Sequence, residues 1–131
     1  MNILALDYGR KRIGVAWVDT GINVVLPLGV IENTGEAVFT KLADLIKKEN
    51  ADTVVIGLPT GMDGSENENT KNIRAFGEKL EKSISTPIVF VDERFSSRQA
   101  DAMGQGVSRD EKSAMVILDS YLESVRRKAK N

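Results

Sequence analysis

The sequence predicts an α/β fold: a mixed five-stranded sheet, three antiparallel strands followed by two parallel ones, with helices on both faces. Two observations predict it. The first part of the chain holds three apolar, β-branched segments separated by tight turn signals, the pattern of an antiparallel meander. From Asn33 onward, helical periodicity alternates with short apolar runs, the pattern of strands reached through helical crossovers.

Residues 2–8 are apolar and read as the first strand, which Gly9 ends in a turn. Ile13–Val18 is the second strand, and Asp19-Thr20-Gly21 the next turn. Ile22–Ile31 resumes with β-branched residues, interrupted by Pro27 and Gly29. Asn33 followed by Glu36 has the spacing of a helix start, and Val38, Leu42, Leu45 and Ile46 follow at helical intervals. Thr53–Gly57 is a short buried-type strand, and the polar, glycine-containing segment Pro59–Asn69 reads as a loop. Ile73, Phe76 and Leu80 mark a second helix, and Ile88–Val91 a fifth strand behind Pro87. Ser96 with Gln99 opens a short helix ending near Gly104 and Gly106, and Ser108 with Glu111 opens a long one. The apolar stripe of that last helix is Ala114, Ile117, Leu118, Tyr121, Leu122 and Val125.

Composition narrows the chemistry. At 131 residues, the whole chain, 1–131, fits one domain, large enough for a core without disulfides or structural metal. There is no cysteine and no histidine, which excludes thiolate nucleophiles and histidine-based zinc sites. A general base must then be a carboxylate, a lysine or a water. The first residues are too short an apolar run for a signal peptide, and no stretch reaches membrane-spanning length, so the expectation is a cytoplasmic protein with no membrane partner. The net charge of −1 announces no polyanion partner, so local basic clusters matter more: Arg10-Lys11-Arg12, Arg94 with Arg98, and Arg126-Arg127-Lys128 with Lys130. A solvated surface is the plain reading of each, above all of the tail.

Three acidic positions fall where a site would form. Asp7 lies at the carboxyl end of the first strand, Asp92 and Glu93 at that of the last, and Asp110 and Glu111 in the first turn of the long helix. Each has an ordinary structural role: a turn at Asp7, a surface ion pair at Asp92-Glu93-Arg94, a helix start at Asp110 and Glu111. Converged, they would hold hard cations such as Mg²⁺ or Mn²⁺ through oxygen. Two such ions clamp an in-line displacement at phosphorus with no need of histidine or cysteine. Periodicity does not choose between Asp110 and Glu111, which flank the apolar stripe at similar angles. Strand phase does not choose between Asp92 and Glu93, because IVFV is apolar on both faces.

Four segments in order, LALDYGRKRIGVA, the GLP of Gly57–Pro59 with Gly64, DERFSS at Asp92–Ser97 and DEKSAMVILDSYL from Asp110 to Leu122, resemble the signature of the YqgF/RuvX family from end to end. The resemblance implies a ribonuclease H-like fold. It further implies a nuclease linked to maturation of the 5′ end of pre-16S ribosomal RNA, with Holliday-junction resolvase as the family's older assignment. It maps the catalytic, metal-holding acids onto Asp7, Glu93 and Asp110. Where family members often carry two alanines, this chain has Ser113-Ala114. By the same route Arg10, Lys11, Arg12 and Arg94 become nucleic-acid-binding residues facing a scissile phosphate, Arg94 alternatively holding a neighbouring carboxylate.

Two other functions compete. Asp7-x-Gly9 followed by Gly14 looks like the phosphate-binding hairpin of actin-like kinases, but those enzymes close a cleft between two domains, and the chain has no GxxxxGK[ST] loop. A non-catalytic nucleic-acid-binding module of the same fold would gain nothing from carboxylates facing phosphates. Trp17, Phe39 and Phe90 lie in apolar runs, which leaves few aromatics for base stacking. Recognition by shape and backbone follows, with structured RNA the favoured partner, branched DNA the alternative, and a monomer or weak homodimer as the working form.

Overall fold

The computed structural model describes residues 1–59, 67–92 and 106–130, with side chains through Arg126. The strands are β1 (Asn2–Tyr8), β2 (Arg12–Asp19), β3 (Val24–Glu32), β4 (Thr53–Gly57) and β5 (Ile88–Val91). The helices among the described residues are α1 (Ala37–Lys48), α2 (Glu68–Ser83) and α3 (Arg109–Lys130). The sheet order is β3-β2-β1-β4-β5. β1, β2 and β3 pair antiparallel, while β4 joins β1 and β5 joins β4 in parallel. This is the mixed sheet that the element order predicts, in a ribonuclease H-like arrangement.

Strand alternation divides the core between the two faces of the sheet. Leu4, Leu6, Ile13, Val15, Val54 and Ile56 meet Val38, Leu42 and Ile46 of α1 and Ile73, Phe76 and Leu80 of α2. Ile3, Ala5, Ala16, Val18 and Val55 meet Ala114, Met115, Ile117 and Leu118 of α3. β4, flanked by strands and covered on both sides, is buried at every residue, which is why TVVIG shows no alternation. Phe39, Phe90 and Trp17 pack against the α1/α2 core, as their apolar settings predict.

Four boundaries differ from expectation, each for a local reason. The third strand begins at Val24, because Ile22 and Asn23 close a turn by donating their amides to the Asp19 carbonyl at 3.0 and 2.8 Å. It is not interrupted at Pro27 and Gly29: the register slips there, with Val15 opposite Gly29 and Ala16 opposite Pro27, so Leu28 is an extra bulge residue and Gly29 takes a φ of 136°. Helix α1 starts at Ala37 without a side-chain cap, since Asn33 is engaged elsewhere and Glu36 pairs with Lys79 at 3.2 Å. Helix α2 starts inside the segment expected as loop: the Asn67 side chain accepts from the Thr70 amide at 3.0 Å and caps it. The expected short helix from Ser96 to Gly104 lies outside the described residues.

Candidate functional site

β1, β4 and β5 run parallel, so their carboxyl ends share one edge of the sheet, the edge where α/β folds build sites. Asp7 lies there. Ile3 and Ala5 pack on the α3 side, and Asp7 has their parity, so alternation aims it toward α3. Its ladder partner on β2 is Gly14. A Cβ on Gly14 would collide with the carbonyl group of Asp110 and lie 3.1 Å from its Cα. The missing side chain therefore lets the first turn of α3 rest directly on the β2 backbone. Asp110 is thereby seated over the ladder partner of Asp7. Gly14 thus has a structural task that its resemblance to a phosphate hairpin did not disclose.

The start of α3 separates the two acids that periodicity left equivalent. Glu111 belongs to the cap. Its amide donates to Ser108 Oγ at 3.2 Å, and its Oε1 accepts from Ser108 Oγ at 2.9 Å and from the Ser108 amide at 3.3 Å. Asp110 turns to the sheet instead, where its Oδ2 lies 3.2 Å from Arg12 Nε. Arg12 opens β2 with the parity of Gly14, Ala16 and Val18, the residues that face α3.

Arg10 and Lys11 are exposed in the turn between β1 and β2. Asn33 holds that turn from the far end of β3: its amide donates to the Lys11 carbonyl at 2.8 Å, and its Nδ2 to the Gly9 carbonyl at 2.9 Å. Gly9 also needs its bare Cα, since a Cβ there would stand 2.5 Å from the Arg12 carbonyl oxygen. Sequence reasoning missed two residues beside the acids. Asn33 looks like a helix cap. Arg109 is exposed at the first position of α3, immediately before Asp110. A cation at the positive end of a helix dipole is unfavourable, and that broken local rule was the signal available in the sequence. The C-terminal basic cluster lies elsewhere. Arg126 donates to Asn23 Oδ1 at 3.0 Å, about 24 Å along the helix from Asp110.

Glu93 and Arg94 lie outside the described residues, as does Gly64. Asp92 is described and half-buried at the end of β5. Among the described residues no group of three acids gathers in metal-binding distance, and the first turn of α3 that carries Asp110 rests on the ladder partner of Asp7. No helix among the described residues is long and apolar enough to cross a membrane.

A family profile described as RuvX, Holliday junction resolvase, matches residues 1–124. The chain belongs to the RuvX family. Among its curated relatives are proteins provisionally named pre-16S rRNA nucleases. The one from Dechloromonas aromatica is 37% identical over 120 residues, covering 91% of this chain and 82% of the relative. The one from Dictyoglomus turgidum is 37% identical over 135 residues, covering 95% of this chain and 96% of the relative. In structure, the RuvX chain resembles RuvC of Thermus thermophilus solved in complex with a Holliday junction substrate. The TM-score is 0.68 at 10% identity, covering 97% of this chain and 96% of that one. A second T. thermophilus RuvC structure gives a TM-score of 0.63 at 12% identity, covering 98% and 97%. At such identities the likeness speaks for the fold alone.

Proposed function

We propose that this RuvX protein is a cytoplasmic nuclease that hydrolyses phosphodiester bonds, and that its substrate is the 5′ region of pre-16S ribosomal RNA. Asp7, Glu93 and Asp110 are the carboxylates that hold Mg²⁺ or Mn²⁺. The single observation that supports this reading is the seat of Asp110 on Gly14, the ladder partner of Asp7. Glu93 is taken over Asp92 on the resemblance of the DERFSS segment to the family signature.

The described part of the site suits a cation. Asp110 already draws a positive group, the Arg12 guanidinium, to 3.2 Å. Its donors are all carboxylate oxygens, the set hard divalent ions prefer. Bound there, such ions would supply an activated water and a counter-charge for the leaving oxygen. The protein's own share is positioning. The α3 cap and the Gly14 contact fix the Asp110 backbone, and the β1–β2 ladder fixes that of Asp7. Arg10 and Lys11, held by Asn33, receive the phosphate backbone, with Arg94 adding a bidentate contact.

The family's description as Holliday junction resolvase keeps branched DNA as the second reading. One assay tests both. Purified protein is incubated with a pre-16S 5′ fragment and with a four-way DNA junction, with Mg²⁺, with Mn²⁺ and with excess chelator. Metal-dependent cleavage of the RNA is expected. Cleavage of the junction alone would transfer the function to DNA, and no cleavage of either would leave a binding module of the same fold.

A further inference from the structure

Arg12 faces two partners with opposite charge requirements. It belongs to the basic turn proposed to receive phosphates, yet its Nε is directed at Asp110 Oδ2. We propose that Arg12 is an internal counter-cation that competes with divalent metal for Asp110, and that its release toward substrate phosphate couples metal uptake to substrate uptake. This rests on the reading of Asp110 as a metal-holding carboxylate and adds to it a linkage between two ligands.

Three observations support the exchange. The contact runs through Nε to one carboxylate oxygen at 3.2 Å, and side-chain exposure is 65% for Arg12 against 31% for Asp110. An ion pair so open to water is weakly held and readily displaced. The position of Asp110 does not depend on Arg12: the carbonyl rests on Gly14 and the first turn is closed by the Ser108–Glu111 cap. Losing the pair therefore leaves the carboxylate in place for another cation. Finally, Arg12 is anchored by its backbone in β2 directly beside the exposed Arg10 and Lys11, so a released guanidinium stays on the face where phosphates arrive. A guanidinium keeps its charge at any working pH, so the competition is cation against cation and no proton is exchanged. Linkage then requires reciprocity: whatever factor phosphate contact adds to metal affinity, metal adds to phosphate affinity.

The test is calorimetric titration of Mn²⁺ alone into wild type, Arg12→Ala, Arg12→Gln and Asp110→Asn, each checked for folding by thermal melting. Both Arg12 variants are expected to bind Mn²⁺ about three- to tenfold more tightly than wild type, since a competing charge is gone. A phosphorothioate-protected RNA hairpin is expected to tighten Mn²⁺ binding in wild type and to lose that effect in both Arg12 variants. Unchanged or weaker Mn²⁺ binding in the two Arg12 variants would overturn the proposal and make Arg12 a support for the metal-binding carboxylate. RNA-induced tightening that survives in both variants would overturn the coupling. Asp110→Asn separates the levels. If it binds Mn²⁺ like wild type, the assignment of Asp110 itself fails. If it binds weakly while the Arg12 variants do not tighten, only the competition fails.

Discussion

The two faces of the sheet are built for different tasks. The α1/α2 face is thick and mostly apolar. Phe76 sits at its centre, with Tyr8 at 4.5 Å and Phe39 at 5.6 Å between ring centroids, above Leu42, Ile46 and Leu80. The α3 face has its own core of Ile3, Val18, Val55, Ile117 and Leu118, but small residues line the part nearest the helix start. Its sheet side offers Ala5, Gly14 and Ala16, and its helix answers with Ala114. Bulk on the first face gives stability through buried area. Gly14 on the second lets the start of α3 rest on the strand that pairs with β1 opposite Asp7. Both faces carry core, but only the α3 face carries the acid-bearing contact, and the faces should respond differently to substitution.

The largest contrast lies within one turn of α3. Asp110→Asn removes charge but little volume, and cleavage should fall by about two to three orders of magnitude, the scale for losing a charge-stabilising group. Folding should be kept. Glu111→Gln should leave cleavage intact and lower stability by only about 0.3–1 kcal/mol, because glutamine can still complete the cap with Ser108. Paired cleavage assays and melts of both variants check this. A dead Glu111→Gln beside an active Asp110→Asn would move the ligand by one residue.

Next come matched lesions on the two faces. Leu42→Ala on the α1/α2 face should cost about 2–5 kcal/mol of stability, while the folded fraction keeps its specific activity. Gly14→Ala drives a methyl into the backbone of Asp110, which has no flexible atom to yield. It should cost about 1–3 kcal/mol and reduce specific activity more than Leu42→Ala does, because α3 must lift where its acid sits. Denaturant melts with activity per folded molecule read this out. Equal specific activities would break the division between the faces.

The sequence disclosed the faces unevenly. All five strands and the α3 capping box were legible, since each is a local pattern of apolar residues or of caps. The α1/α2 core followed from helical spacing. The α3 contact did not, because a glycine that serves close approach has the same appearance as one that serves a turn. Asn33 was misread for a similar reason. The Asn-x-x-Glu spacing fits a capping box, but its amide is spent on Gly9, 24 residues away, a partner no local window contains. Asp110 and Glu111 were indistinguishable by periodicity and became distinct only through what each side chain holds.

Asn33 supplies a smaller effect. Asn33→Ala removes the side-chain donor to the Gly9 carbonyl and should cost about 1 kcal/mol of stability. Loosening the turn that carries Arg10 and Lys11 should weaken RNA affinity by a few-fold. The loss should be greatest at low salt and small at high salt, where phosphate contacts count less. Binding isotherms across salt concentrations measure it. An equal loss at every salt concentration would detach Asn33 from the basic turn.

The smallest effect concerns the middle of α3, away from its acid-bearing start. Burial pushes the Asp119 carboxyl above its ordinary value of 3.8, and the positive charge of Arg126 only partly offsets that. For an acid whose folded pKa is raised, the folded state holds the proton more tightly than the unfolded state. The contribution to stability is therefore equal in both states below the unfolded pKa. It turns unfavourable as pH climbs through the window from 3.8 to the raised folded value, and it stays so at neutral pH. Asp119→Asn should accordingly melt slightly higher than wild type at pH 7, and the two melting curves should converge as pH falls below 3.8. Arg126 keeps its bond to Asn23 Oδ1 in the variant, so the helix end is not released. Cleavage should be unchanged, because Asp119 lies nine residues beyond Asp110, about 14 Å along the helix. Thermal melts from pH 3 to pH 7 decide the matter: a variant that melts lower at neutral pH would mean that attraction to Arg126 outweighs the cost of burial, and that this part of α3, too, keeps its charge for stability.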